Sequence, residues 1–169
     1  MASAKVTMGG KPVVLSGAGV KVGDPAPEFT AVGVDLAPVS FSEFRGNPCL
    51  ISAVVSLDTD VCDLEARRFN KEVAALGGNV QVLLISMDLP FAQKRWAREA
   101  EADELVTLSD HKDCSFGLAY GLLIKDVRLL ARAVYVIDAQ GVIRYAEVVR
   151  EVSEEPDYDA ALAALRKVV

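Results

Sequence analysis

Cys62 is the residue with the strongest claim to chemistry. It follows a nearly continuous apolar run, Cys49–Ser56, and stands in the first turn of a helix opened by Asp58, Thr59 and Asp60. A helix start presents free backbone N–H groups and the positive end of the dipole, and both favour a sulfur anion. Burial on the apolar stripe of that helix works the other way, as do the carboxylates of Asp58, Asp60 and Asp63. A thiolate here therefore needs a cation close by. Arg132 precedes the apolar segment Ala133–Ile137 and is where the chain order can bring one. Thr59, three residues before Cys62, places a hydroxyl at the same turn. The competing reading is a plain core cysteine at a helix start, since free cysteine is among the most buried residue types.

The other reactive residue types have blander readings. Cys49 sits inside an apolar strand and reads as core packing. Cys114, flanked by Lys112 and Asp113 beside a helix start, reads as a surface cysteine, with an exposed, redox-active thiol as the alternative. His111, the one histidine, reads as a surface loop residue after Asp110. Three cysteines without C-x-x-C spacing make neither a disulfide framework nor, with one histidine, a zinc site. The Gly9-Gly10 and Gly77-Gly78 pairs fit turns and belong to no phosphate-binding pattern. No cofactor is implied.

These side chains must be carried by regular elements, and their periodicity outlines which. Lys5–Met8 and Pro12–Leu15 around Gly9-Gly10 read as a β-hairpin. Gly23–Pro27 reads as an extended connector, Phe29–Val32 as a short strand and Phe41–Phe44 as one helical turn. Cys49–Ser56 and Val80–Met87 are apolar enough for strands buried on both faces. Between them Cys62, Ala66, Phe69, Val73 and Leu76 form one helical face, with Asp63, Glu65, Arg67, Lys71 and Glu72 on the others; Gly77-Gly78 ends that helix. Pro90 opens a second helix to about Ala102, with Phe91 and Trp96 inward. Val106–Ser109 reads as a strand and Ser115–Tyr120 as a short helix. Ala133–Ile137 and Val142–Val149 form a hairpin around Asp138–Gly141. A last helix follows Pro156 and Asp157 to about Val169, with Leu162 and Leu165 inward.

This order predicts an α/β fold of thioredoxin-like type: a central mixed β-sheet flanked by helices. In it Cys49–Ser56 lies antiparallel beside Ala133–Ile137, so Arg132 falls near the strand end that leads to Cys62. The 169 residues predict one domain, 1–169, with 1–16 as an N-terminal β-hairpin extension. Apolar residues make up 51% and charged residues 25%, the balance of a globular chain. A net charge of −6 with no Lys/Arg cluster argues against nucleic-acid binding, and no apolar run approaches the ~20 residues of a membrane span. Met1–Lys5 carries no secretory pattern, so a reducing, cytoplasmic setting is expected.

Asp58–Cys62, Arg67–Asn70, Asp88–Gln93, Ala131–Asp138 and Glu155–Tyr158 together resemble the thiol peroxidase subfamily of peroxiredoxins, in order and over nearly the whole chain. The Leu89–Gln93 segment and the Ala131–Ala133 strand start are the specific parts. The N-terminal hairpin is also typical of that subfamily. The resemblance implies a thioredoxin fold and a thiol-dependent peroxidase acting on hydrogen peroxide and alkyl hydroperoxides. By analogy the catalytic residues are Cys62, attacking the peroxide and becoming a sulfenic acid, Thr59, hydrogen-bonding thiolate and peroxide, and Arg132, stabilising the anion and the developing charge. It further implies a homodimer and thioredoxin or another thiol reductant.

The chain departs from the subfamily pattern twice. Val55 stands where the pattern has a proline four residues before the threonine. Ala97 stands where a resolving cysteine follows Arg95-Trp96, so the usual intrachain disulfide cannot form. Direct reduction by an external thiol is the favoured cycle, with Cys114 as an alternative resolver. A degenerate member serving as a redox sensor or binding module, without sustained turnover, is the rival reading.

Overall fold

The computed structural model describes residues 4–102 and 104–169. The first three residues of the 1–16 extension lie outside this range. Strands β1 (Val6–Met8) and β2 (Lys11–Val13) pair antiparallel around Gly9 and Gly10, both with positive φ. β3 (Leu15–Ser16) follows, then β4 (Thr30–Val32) and β5 (Pro38–Ser40). A single 3₁₀ turn, Phe41–Phe44, leads to β6 (Cys49–Ala53), α1 (Asp60–Leu76), β7 (Gln81–Ser86), α2 (Pro90–Glu99) and β8 (Leu105–Ser109). α3 (Ser115–Tyr120), β9 (Leu123–Ile124), β10 (Leu129–Leu130), β11 (Ala133–Ile137), β12 (Ile143–Val148) and α4 (Tyr158–Val168) complete the chain.

Seven strands form one mixed sheet in the order β12-β11-β6-β7-β8-β4-β5. β6, β7 and β8 run parallel, while β11 lies antiparallel to β6 with Ala133 opposite Ala53 and Ile137 opposite Cys49. The expected juxtaposition is therefore present: Arg132 sits beside the end of β6, from which the chain runs on to Cys62. β6 is buried along its whole length because helices cover both sheet faces. On one face Leu50, Val82, Val134 and Val136 pack against Phe69 and Val73 of α1 and Leu162 and Leu165 of α4. On the other, Cys49, Ile51 and Ala53 join a larger cluster that includes Phe29, Phe41, Phe116 and Tyr120, where aromatic rings stack and tilt edge to face.

Local chemistry sets the element ends. α1 starts after Thr59 in extended conformation, with Asp60 and Asp63 near the positive end of its dipole, and stops at Gly77 with φ 65°. Pro90 begins α2. Asp157 caps α4 by accepting from the Ala160 amide at 3.0 Å.

Three sequence expectations fail here. Phe91 does not face the core: it is 68% exposed, and Trp96 alone of the pair is buried. Glu65 is not on an outer face of α1 but fully buried. Cys114 is not a surface residue: it is 3% exposed, in left-handed conformation at the start of α3, and its sulfur accepts from Arg128 Nη2 at 3.0 Å. Position 114 is closed over by Arg128 from the β9–β10 connection, a contact that no local pattern announces.

Candidate functional site

Cys62 is the third residue of α1 and is fully buried. Arg132, directly before β11, is 1% exposed and extends to it, with Nη2 3.2 Å from the Cys62 sulfur. The guanidinium is held by three further hydrogen bonds to two partners. Nε and Nη2 donate to the Val152 carbonyl at 3.1 and 2.7 Å, and Nη1 donates to Glu65 Oε2 at 2.6 Å. Glu65 is anchored in turn by Ser52, whose hydroxyl donates to Oε1 at 2.8 Å. A buried chain therefore runs Ser52–Glu65–Arg132–Cys62, built from β6, α1 and the start of β11.

The electrostatics follow from this packing. Burial works against the Arg132 charge, but Glu65 and then Cys62 outweigh it and stabilise the cation. Burial pushes the Glu65 carboxyl up to about 7, against the pull of Arg132 and Ser52. One cation thus faces two groups that can each carry a negative charge. Cys49 has no such partner, and burial pushes its thiol up, so it stays protonated core.

Thr59 reaches the site differently from the expectation. Its hydroxyl donates to the Ser56 carbonyl at 2.8 Å, and its amide donates to the same oxygen at 3.1 Å. Its hydrogen is thus committed to the main chain and not to the Cys62 sulfur, while the residue itself is exposed. The loop that carries it is fastened by Asp88 from the end of β7. Asp88 accepts from Ser56 Oγ at 2.7 Å, the Leu57 amide at 2.8 Å and Ser86 Oγ at 2.7 Å. On the flank, Asp63 accepts from the Trp96 indole at 2.7 Å and from Arg67 at 2.9 Å, tying α1 to α2 beside Cys62.

Sequence reasoning placed Cys62 and Arg132 together and missed Glu65, Ser52, Asp88 and Val152. Glu65 left a readable trace. It lies three residues after Cys62 and four before Phe69, which puts it on the apolar stripe itself. Ser52, two residues from Leu50 on one face of an otherwise apolar strand, was the matching polar signal. Val152 acts through its carbonyl, so its side chain carries no trace.

The comparisons with known proteins bear on this geometry. The Redoxin family model matches residues 21–162. A thiol peroxidase from Halalkalibacterium halodurans is 51% identical over 163 residues, covering 96% of this chain and 98% of its own. The chain belongs to the thiol peroxidase subfamily of the peroxiredoxins. The thiol peroxidase from Bacillus subtilis is 48% identical over 98% of this chain and 99% of its own. Among solved structures, a peroxiredoxin-like protein from Aquifex aeolicus superposes with a TM-score of 0.91 at 36% identity, over 99% of this chain and 98% of the other. The fold of this thiol peroxidase family member is accordingly thioredoxin-like. Among its described residues no helix is long and apolar enough to cross a membrane.

Proposed function

We propose that this peroxiredoxin reduces hydrogen peroxide and alkyl hydroperoxides with Cys62 as nucleophile, Arg132 as electrostatic partner and Thr59 as a substrate-positioning hydroxyl. The observation that carries the reading is the buried contact of Arg132 Nη2 with the Cys62 sulfur at 3.2 Å. The Cys62 thiolate attacks the terminal oxygen of R–O–O–H. An S–O bond forms, the O–O bond breaks, and the electron pair leaves on RO⁻, which takes a proton to give the alcohol or, from hydrogen peroxide, water. Arg132 stabilises the anion before the step and the charge spreading over the O–O bond during it. Because the Thr59 hydrogen is held by Ser56, its oxygen lone pairs are left to accept the peroxide O–H.

Resolution proceeds through an external thiol. That thiol condenses with the sulfenic acid, releasing water and forming a mixed disulfide, and a second thiol displaces Cys62. Ala97 supports this cycle, since it leaves the subfamily's resolving position without sulfur. Cys114 is a poor alternative, being buried and engaged by Arg128. Thioredoxin is one reductant of the right chemistry, a homodimer is the proposed assembly, and the whole chain acts as one domain. Three free thiols suit a reducing, cytoplasmic setting.

The test is rapid mixing of reduced protein with one equivalent of hydrogen peroxide, followed by mass spectrometry. The reading predicts one added oxygen on Cys62, no oxidation in Cys62→Ser, and turnover when a thiol is supplied. A Cys62–Cys114 disulfide would overturn the external cycle. Oxidation without turnover for any thiol would favour the sensor reading, which the substitutions at Val55 and Ala97 motivate.

A further inference from the structure

The N-terminal hairpin meets the site at a place the reaction does not explain. The Thr7 amide donates to the Arg150 carbonyl at 2.7 Å, and the Val152 amide donates to the Thr7 carbonyl at 3.0 Å. Between them Glu151 staples hairpin to turn. Its Oε1 accepts from the Gly10 amide at 2.7 Å and from Thr7 Oγ1 at 3.1 Å. Its Oε2 accepts from the Ser153 amide at 3.0 Å and from Ser153 Oγ at 2.9 Å. The Gly10 and Ser153 amides hold this carboxyl down at about 2, so it remains an acceptor across the physiological range. Val6 and Val152 are both buried in the main core beneath the staple.

The turn fastened in this way carries the Val152 carbonyl, and that carbonyl receives two of the Arg132 donors. A main-chain oxygen stands where the backbone puts it, so whatever fixes residues 150–153 also fixes the guanidinium. We propose that the N-terminal hairpin, through Thr7 and Glu151, is a positioning device that sets the Val152 carbonyl and so aims Arg132 at the Cys62 sulfur. Thr7 and Glu151 touch neither substrate nor sulfur; they act through Arg132, and the inference rests on the role proposed for that residue.

The experiment is a double-mutant cycle between Glu151→Ala and Arg132→Ala in the full chain. It has two readouts: the rate of Cys62 oxidation by hydrogen peroxide, quenched and read by mass spectrometry, and thiolate absorbance at 240 nm against pH. Glu151→Ala slows oxidation about fivefold, the size of one ordinary net hydrogen bond, and moves the absorbance curve to higher pH. Glu151→Gln, which keeps an acceptor oxygen, recovers part of both. With Arg132 already replaced, Glu151→Ala adds no further loss. A merely structural staple leaves the absorbance curve in place and slows both backgrounds equally; either result overturns the proposal. Should Glu151→Ala fail to fold, Thr7→Val removes the hydroxyl that donates to Glu151 Oε1 at 3.1 Å and to the Arg150 carbonyl at 3.3 Å, and carries the same cycle with a smaller effect. If Arg132→Ala itself leaves oxidation unchanged, the proposed role of Arg132 falls. If only Arg132→Ala slows it, the positioning role of the hairpin alone falls.

Discussion

Glu65→Gln separates charge from geometry at the site. Glutamine keeps an oxygen for Arg132 Nη1, now 2.6 Å from Glu65, and still fits beside Ser52. What it removes is a negative charge on the same helix face as Cys62. Residues three apart on a helix are about 5–6 Å apart. Two unit charges at about 6 Å interact by about 3 kcal/mol at an effective dielectric near 20. That corresponds to about two pH units when the carboxylate is fully ionised. Because burial lifts the Glu65 carboxyl to about 7, it is only partly charged near neutrality, and the effect there is smaller. The sign is fixed: a like charge disfavours a sulfur anion, so removing it extends the anion to lower pH. The rate of Cys62 oxidation against pH should therefore move one to two units toward acid in Glu65→Gln, measured with limiting peroxide between pH 5 and 9. An unmoved profile would mean that Arg132 fully shields the two groups from each other. A shift toward alkali would mean that Glu65 serves Arg132 chiefly by orienting it, and would refute the charge argument.

Replacing Glu65 by alanine leaves the Arg132 guanidinium buried beside an empty position; a loss of about 3–5 kcal/mol in urea unfolding is expected, against a much smaller loss for glutamine. Ser56→Ala removes one Asp88 bond from the loop carrying Thr59. It should cost about 1 kcal/mol and slow oxidation by peroxide while leaving alkylation of Cys62 by iodoacetamide unchanged. Leu165→Ala, fully buried in a core cluster that does not include Cys62, should cost about 2–5 kcal/mol in unfolding while leaving the peroxide rate of the folded fraction intact. Glu151 has a folded value of about 2 against an ordinary 4.5, so its stabilisation is complete above pH 4.5 and is lost as the pH falls toward 2. Hydrogen exchange at the Gly10 and Ser153 amides should accelerate, relative to other amides, through that window.

The sheet was legible because its central strands are nearly continuous apolar runs, and the order β6, α1, β7, α2, β8, β11, β12, α4 follows from such runs and the intervening helical faces. The pairing of β6 with β11 came from chain order alone and set Arg132 beside Cys62. The failures share a cause, which is that tertiary partners decide burial. Glu65 reads as a surface charge until Arg132 is known to neutralise it. Phe91 reads as core because it is large and apolar, yet it stands in the first turn of α2 on the side away from the sheet. The small sheet β10-β9-β3 pairs two-residue strands whose register is set between distant segments, so no local periodicity marks it. Thr59 was placed correctly in the chain, but the direction of its hydroxyl depended on the Ser56 carbonyl, a backbone matter.

Trp96 is the chain's one tryptophan, and its indole nitrogen is bonded to the carboxylate of the residue adjoining Cys62. The molecule thus carries an intrinsic optical reporter of the helix that bears Cys62. If Cys62 changes chemical state as proposed, the field at Asp63 is expected to change, and with it the light emitted by that indole. Emission recorded during peroxide addition would then follow the proposed reaction in the unlabelled protein, with the Trp96–Asp63 bond between α2 and α1 as the link.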